Sequence, residues 1–128
     1  MTTDYLIDTH AHLDFSELYY RIKEVLENAK KNNVKRIISI STNLNKIDKI
    51  IDLSDKNEEI FFTVGIHPNE VLKDENNLNY DLIKNISKKV KCVGIGECGL
   101  DYHYGKDSVK EQKLSFITQI NVARDTGL

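Results

Sequence analysis

Apolar residues fall into four short, nearly continuous runs, and an amphipathic stretch follows each run. The runs are YLID near residue 5, RIISIS near residue 36, IFFTVGI from residue 60 and CVGIGE from residue 92. Such runs are typical of parallel strands that are buried on both faces. Four strand–helix units in succession therefore predict an α/β fold with a parallel sheet.

The segments after the first three runs carry apolar residues at helical spacing. Each set covers one side of a helix, and we expect that side to pack on the sheet. The sets are Leu18, Ile22, Val25, Leu26 and Ala29, then Leu44, Ile47, Ile50 and Ile51, and then Leu82, Ile83 and Ile86. The polar segment KDENNLN, residues 73–79, predicts a long loop before the third helix.

The fourth predicted helix has the clearest boundaries. Ser108 and Glu111 have the spacing of a capping box at its start, and Gly127 is the residue type expected just after its end. The residues predicted to line its inner face are Phe116, Ile117, Ile120 and Ala123. The pattern calls for a fifth strand after this helix, but the sequence ends at Leu128.

The composition indicates one globular domain, residues 1–128. Hydrophobic residues make up 40% of the chain, which is enough to bury a core. The 18 basic and 20 acidic residues give a formal charge of −2, so no basic field points to nucleic acid or to an anionic membrane surface. No apolar run approaches the roughly 20 residues that span a bilayer. Cys92 and Cys98 form neither a C-x-x-C pair nor a secreted disulfide framework, and the expected location is the cytoplasm.

The motif DTHAHLD, residues 8–14, closes the first predicted strand. Side chains alternate along a strand, so His10 and His12 are expected on the same side, with Asp8 behind them. A lone histidine at a strand end is more often structural than a ligand. A same-face pair between two aspartates instead favours a metal site, because two imidazoles can converge on one ion.

The segment VGIGECGLDYH, residues 93–103, contains the spacing G-x-G-x-x-G of dinucleotide-binding turns. Such a turn must lead directly into a helix, whereas LDYHYGK intervenes here before the next predicted helix. We interpret the glycines instead as a tight turn that presents Glu97 at the same edge of the sheet as the two histidines. Glu97 is therefore predicted to be a metal ligand, and this mixture of nitrogen and carboxylate donors suits magnesium, manganese or zinc.

Other reactive side chains near these motifs have two interpretations each. His67 directly follows the third strand and could bind substrate, or its ring could hydrogen-bond to backbone within its turn. His103 is expected to be an ordinary exposed residue, and Cys98 a small packing residue rather than a soft ligand or a nucleophile. Tyr102 and Tyr104 could stack on a nucleobase, although tyrosines beside a glycine-rich turn more often pack against it.

The segments LIDTHAHLD, VGIHP and GECGLDYH, in this order and spacing, resemble the TatD family of metal-dependent deoxyribonucleases. The resemblance continues through Gln112, Phe116, Gln119, Ala123 and Leu128. It implies a (β/α)8 barrel of the TIM type, two divalent metal ions, and hydrolysis of phosphodiester bonds in DNA, commonly from the 3′ end. His10 and His12 match the family's first-strand ligands. Glu97 matches the glutamate that bridges the ions and takes part in catalysis.

The sequence has no counterpart of the family's later motifs, which supply two further histidines and an aspartate from strands five, six and eight. A complete barrel takes about 250 residues, so four units correspond to an N-terminal half-barrel with an open inner face and open sheet edge. We expect a fragment, a truncated gene product, or half of an assembly that could self-associate through the open half-barrel.

DNA is the expected substrate, and two other functions stay open. One is an ester or amide hydrolase of the same barrel type, since paired histidines on a first strand also serve that chemistry. The other is a non-catalytic half-barrel that acts as a binding module or is a degenerate gene product. The substrate class rests on the family resemblance alone.

Overall fold

The computed structural model describes residues 4–128, and its centre is a four-stranded parallel sheet with the strands in sequence order. β1 spans Leu6–Ala11, β2 spans Val34–Ser39, β3 spans Ile60–Val64 and β4 spans Cys92–Ile95. Each neighbouring pair is parallel, and one or more helices connect it. The predicted α/β fold is confirmed. Residues 1–3 of the predicted domain 1–128 lie outside the described residues.

Within residues 4–128, five α-helices and three short 3₁₀ turns connect and follow the strands. The helices are α1 (Ser16–Tyr19), α2 (Ile22–Lys31), α3 (Ile47–Lys56), α4 (Tyr80–Ser87) and α5 (Val109–Thr126). The 3₁₀ turns span Leu44–Lys46, Pro68–Glu70 and Lys106–Ser108. The first predicted helix is divided between α1 and α2, because Arg21 leaves the helical conformation with φ −114° and ψ 21°. No helix within residues 4–128 is long and apolar enough to cross a membrane.

The core lies between the sheet and the helices, in two clusters. The cluster over β3 and β4 consists of Leu44, Ile47, Ile50, Phe62, Val64, Ile66, Val71, Ile83, Ile86, Cys92 and Val122. The smaller cluster contains Leu13, Ile37, Leu53 and Ile60, with apolar residues of α1 and α2 packed against it. The predicted apolar stripes of the first three helical segments therefore pack as expected.

The expectation that all four strands are buried on both faces is wrong for β1, for β4 and for β2, where Lys35 and Arg36 are exposed. Leu6 is 62% exposed and Ile7 is 49% exposed, and Val93 of β4 is also exposed. β1 lies at one edge of the sheet and pairs only with β2, and β4 lies at the other edge. In contrast, β3 pairs on both sides, and its residues Ile60, Phe62 and Val64 are fully buried.

The predicted inner face of α5 is also wrong. The residues of α5 that are buried are Gln112, Ser115, Gln119 and Val122. Ile117 and Ile120 are about half exposed, whereas Phe116 and Ala123 are partly buried. The polar stripe faces inward because its amide side chains hydrogen-bond to the backbone of the loops after β3 and β4, as described below.

The capping box predicted at the start of α5 is wrong, whereas its predicted end is confirmed. Ser108 is the residue before the helix, but its side chain makes no capping bond. Its hydroxyl instead donates to the carbonyl of Gly105 and accepts from Gln112, so the capping box is wrong. The predicted end is confirmed: Gly127 adopts a left-handed conformation with φ 78°, and its N–H donates to the carbonyl of Ala123 at 2.9 Å.

The inward polar stripe generates a test. Replacement of Gln119 by leucine is expected to lower the free energy of unfolding by about 2–4 kcal/mol, because two buried backbone groups of Ile66 lose their partners. Replacement of the half-exposed Ile120 by glutamine is expected to change it by less than about 0.5 kcal/mol. Urea unfolding of both variants measures the difference. A larger loss of unfolding free energy for Ile120→Gln than for Gln119→Leu would show that the predicted apolar residues form the inner face of α5.

Candidate metal centre

Two histidines and a glutamate from opposite edges of the sheet converge at the carboxyl ends of the strands. His10 is in β1, His12 is the first residue after β1, and Glu97 is the second residue after β4. The Nε2 atoms of His10 and His12 lie 3.5 Å and 3.7 Å from Oε2 of Glu97. One donor atom from each residue lies within 4.8 Å of the other two. The structure thus brings together the three residues predicted as ligands.

The hydrogen bonding of His12 leaves one ring nitrogen free to bind a metal. Nδ1 of His12 lies 3.0 Å from the backbone carbonyl oxygen of Ile40. A carbonyl can only accept, so Nδ1 carries the proton and Nε2 has a lone pair directed toward Glu97. Fixing the tautomer through the second ring nitrogen is how proteins commonly orient a metal-binding histidine.

Backbone contacts at the ends of β2, β3 and β4 position Glu97. Its N–H donates to the carbonyl of Ser41 at 2.7 Å, and the N–H of Gly96 donates to that of Val64 at 3.0 Å. A Cβ atom on Gly65 would lie 2.5 Å and 2.6 Å from two backbone atoms of Gly96, so residue 65 must be glycine for this approach. Gly96 has a φ of 159°, which favours glycine. The glycines thus form the turn that was inferred from the sequence.

Two buried glutamines of α5 hold the loops that carry the site. Gln119 accepts from the N–H of Ile66 at 3.0 Å and donates to its carbonyl at 3.1 Å. Gln112 accepts from the N–H of Asp101 and donates to the carbonyls of Asp101 and Gly105. Sequence reasoning gave neither residue a positioning role. The available signal was their separation by seven residues, which places both amides on one side of a helix.

His67 also reaches Glu97, but its hydrogen bonding differs from that of His12. Nδ1 of His67 accepts the N–H of Asn69 at 3.0 Å, so the ring proton is on Nε2. That Nε2–H group lies 3.6 Å from Oε1 of Glu97. It can donate to the carboxylate or to a bound substrate, and in this tautomer it offers a metal no lone pair. The structure therefore shows the backbone hydrogen bond of the second interpretation, and a role of His67 in binding substrate stays a prediction.

The remaining reactive side chains lie outside this cluster. Asp8 is exposed, and its carboxylate accepts the backbone N–H of His10 at 3.0 Å, so it holds the strand end rather than facing Glu97. His103 is exposed and contacts Tyr104 edge to face. Burial raises the pKa of the Cys98 thiol, and the charge of Glu97 raises it further. These surroundings disfavour the thiolate, which is the reactive form of a cysteine.

The donor set fits a divalent ion. Imidazole nitrogens bind zinc and manganese, carboxylates also bind magnesium, and donors within 4.8 Å need only small movements to reach one ion at about 2.0–2.3 Å. Glu97 presents its two oxygens to different neighbours, Oε2 to His10 and His12 and Oε1 to His67. A carboxylate with two accessible oxygens can ligate one ion or bridge two.

A groove beside the cluster extends the site outward. It is lined by His12, Phe15, Thr42, His67, Asn69, Glu70 and Glu97. The ring of Phe15 stacks on that of His12, with 4.9 Å between the ring centroids and an interplanar angle of 16°. Sequence reasoning did not single out Phe15, since a single aromatic residue after a motif carries no spacing signal.

Comparisons with known proteins identify relatives of this chain. The family model described as TatD related DNase matches residues 7–128. The uncharacterized metal-dependent hydrolase YabD of Bacillus subtilis is 34% identical, with 96% of this chain and 48% of YabD covered. Human deoxyribonuclease TATDN3 is 31% identical, with 96% of this chain and 49% of TATDN3 covered. The chain spans about half the length of the curated relatives it matches.

A solved structure shows the same fold. The crystal structure of YjjV, a TatD homologue from Escherichia coli K12, superposes with a TM-score of 0.87 at 23% identity. The match covers 96% of this chain and 48% of YjjV. The expected architecture, four strand–helix units of a TIM-type barrel, is confirmed. Because the family model covers nearly all of the sequence, the chain belongs to the TatD-related DNase family.

Proposed function

We propose that this chain forms part of a divalent-metal-dependent hydrolase that cleaves phosphodiester bonds in DNA. The convergence of His10, His12 and Glu97 at the carboxyl ends of the strands is the observation that carries the proposal. This edge is where barrels of alternating strands and helices place their active sites. The name of YabD supports metal-dependent hydrolysis, and the family description and the name of TATDN3 support DNA as the substrate.

The charge of the chain fits a metal-dependent mechanism on a phosphodiester. With a formal charge of −2, the chain carries no net positive charge that would attract a phosphate. Divalent ions supply that charge when bound, and they also lower the pKa of water to give a nucleophile at neutral pH. We propose two such ions, magnesium, manganese or zinc, and Glu97 would be among the residues that hold them.

Each side chain of the cluster has a distinct proposed role. His10 and His12 hold an ion through Nε2, and the bond from His12 to Ile40 fixes the orientation of that ring. Glu97 would contribute the negative charge that attracts the cations. His67 keeps its Nε2–H beside Glu97, where it can donate to a phosphate oxygen of the substrate and orient the scissile bond.

The first test concerns Glu97 and metal binding. Glu97→Gln keeps the size of the side chain but removes its charge, and it is expected to weaken manganese binding by at least about tenfold in a calorimetric titration. The matched control is Glu58→Gln, because Glu58 is exposed near the start of β3, at the opposite end of the sheet. Equal manganese affinity of Glu97→Gln and the unchanged chain would remove Glu97 from the metal centre.

The second test concerns turnover. Residues 4–128 bring three donors together at this centre, whereas two ions need more ligands. The 128-residue chain, in monomeric and oligomeric fractions separately, is therefore expected to cleave labelled single-stranded DNA with manganese at least about a hundredfold more slowly than TATDN3. Comparable turnover that is lost in His10→Ala would show that three donors suffice.

A chimera tests the proposed function without that shortage of metal ligands. The chimera joins this chain to the part of TATDN3 that it does not match, which supplies the remaining half of the relative. We expect manganese-dependent cleavage of single-stranded DNA that chelator abolishes and that His10→Ala removes. A folded chimera that binds manganese but cleaves no DNA would contradict the assignment of DNA as the substrate.

A further inference from the structure

An exposed aromatic ring connects the metal centre to the outer surface. Phe15 stacks on His12, a predicted ligand, yet 41% of its surface stays exposed. Tyr19 follows one turn later in α1, and its neighbour Tyr20 is 79% exposed. Large aromatic residues at the mouth of a site lose favourable burial unless something covers them. Their position therefore points to a partner with flat, stackable groups.

Two lysines accompany these aromatic rings. Nζ of Lys46 lies 5.7 Å from the centroid of the Phe15 ring, and Nζ of Lys49 lies 5.2 Å from that of Tyr19. The two lysines are three residues apart where α3 begins, so they lie on one side of the chain. Neither forms an ion pair with any residue from 4 to 128. Both ammonium groups can therefore move to a bound anion without breaking a salt bridge.

The acidic residues near these lysines are Asp14, Asp48 and Glu70, and none of them forms an ion pair with either lysine. Asp14 is buried, whereas Lys46 and Lys49 are exposed. Glu70 faces the groove but already pairs with Lys73 at 3.0 Å and accepts from Asn43. The positive charge of Lys46 and Lys49 is consequently available at the surface, even though the whole chain is slightly acidic.

Lysine–aromatic contacts alone do not identify a binding surface. The chain contains others, among them Lys35 over Tyr5 and Lys91 over Phe61. The Phe15 and Tyr19 pairs differ from these because they follow each other along one side of the chain and begin in contact with a predicted metal ligand. Phe15 itself lines the groove of the metal centre, and Tyr19, which is partly buried, lies one turn further along α1.

We propose that Phe15, Tyr19, Lys46 and Lys49 form an aromatic–lysine strip that binds unpaired nucleotides next to the bond to be cleaved. The strip rests on the proposed function and adds to it a means of holding the strand. One base stacks on Phe15, and Lys46 and Lys49 move from their rings to the neighbouring phosphates. Alternating stacking surfaces and cations are what proteins use to bind single strands without reading their sequence.

The strip selects against paired DNA. A base within a duplex is stacked on its neighbours and cannot reach a side chain such as Phe15 unless it is unstacked at a cost of a few kcal/mol. A base at an unpaired strand end can reach Phe15 without this cost of unstacking. The strip thus favours single strands and frayed ends over intact duplexes.

The experiment measures binding of a fluorescent oligothymidylate of about ten nucleotides by polarisation, in chelator so that neither metal nor cleavage contributes. Phe15→Leu is expected to weaken binding about tenfold through loss of base stacking, and Phe15→Trp to restore it. Replacing both Lys46 and Lys49 by glutamine is expected to lower the slope of log K against log salt by about 1.4, about 0.7 for each phosphate contact. Circular dichroism checks that each variant folds.

Two controls separate stacking from general attraction. An abasic strand of the same length keeps the phosphates, so it is expected to respond to the lysine variant but not to Phe15→Leu. Lys35→Gln removes the same charge from a similar lysine–aromatic pair, formed by Lys35 in β2 and Tyr5 just before β1. It is expected to change the affinity for neither the oligothymidylate nor the abasic strand.

Several results would overturn the strip. They are equal affinity of all variants, loss of binding in Phe15→Leu that Phe15→Trp does not restore, equal effects of Phe15→Leu on both strands, and no binding of the unchanged chain at low salt. None of these results depends on manganese. Failure of the strip is thereby distinguishable from failure of the metal centre, which the titration of Glu97→Gln tests.

Discussion

The approach of the β4 end to the β3 end is the contact on which the site depends. Gly65 allows the backbone of Gly96 to come closer than any side chain would permit. Thr63 then donates its hydroxyl to the carbonyl of Gly96 at 2.6 Å, and Ser41 accepts the N–H of Glu97. These contacts come from three different strand ends. They fix the direction in which Glu97 leaves the sheet, and so the distance between its carboxylate and the histidines of β1.

The position of hydrogens, rather than residue type, divides the roles of the three histidines around Glu97. All three have Nε2 within 3.7 Å of a Glu97 oxygen. His12 gives its Nδ1 proton to a carbonyl and keeps a lone pair at Nε2, whereas His67 accepts a backbone N–H at Nδ1 and keeps a proton at Nε2. One carboxylate therefore faces a nitrogen lone pair on one side and a hydrogen-bond donor on the other. The lone pair can bind a cation, and the donor can orient an oxygen atom of a substrate.

The sequence predicts the elements of this fold better than it predicts their faces. Continuous apolar runs predicted all four strands, and the tight turn before Glu97 followed from the glycines around it. The inner face of α5 could not be predicted in this way. Gln119 is stable in the interior only because both ends of its amide meet the backbone of Ile66, and that pairing exists only in the folded chain. The tautomers of His12 and His67 depend likewise on carbonyl and N–H groups from other segments.

The geometry and the completeness of the metal centre have separate causes. The three converging side chains are held by contacts within residues 4–128, namely the sheet, the β3–β4 approach and the glutamines of α5. The exposed apolar residues of the sheet, by contrast, are Leu6 and Ile7 on β1 and Val93 on β4, the two edge strands. His10 lies in one of these strands and Glu97 follows the other. The bonds that orient Glu97 nevertheless come from Ser41, Thr63 and Val64, so its orientation follows from contacts among the described residues.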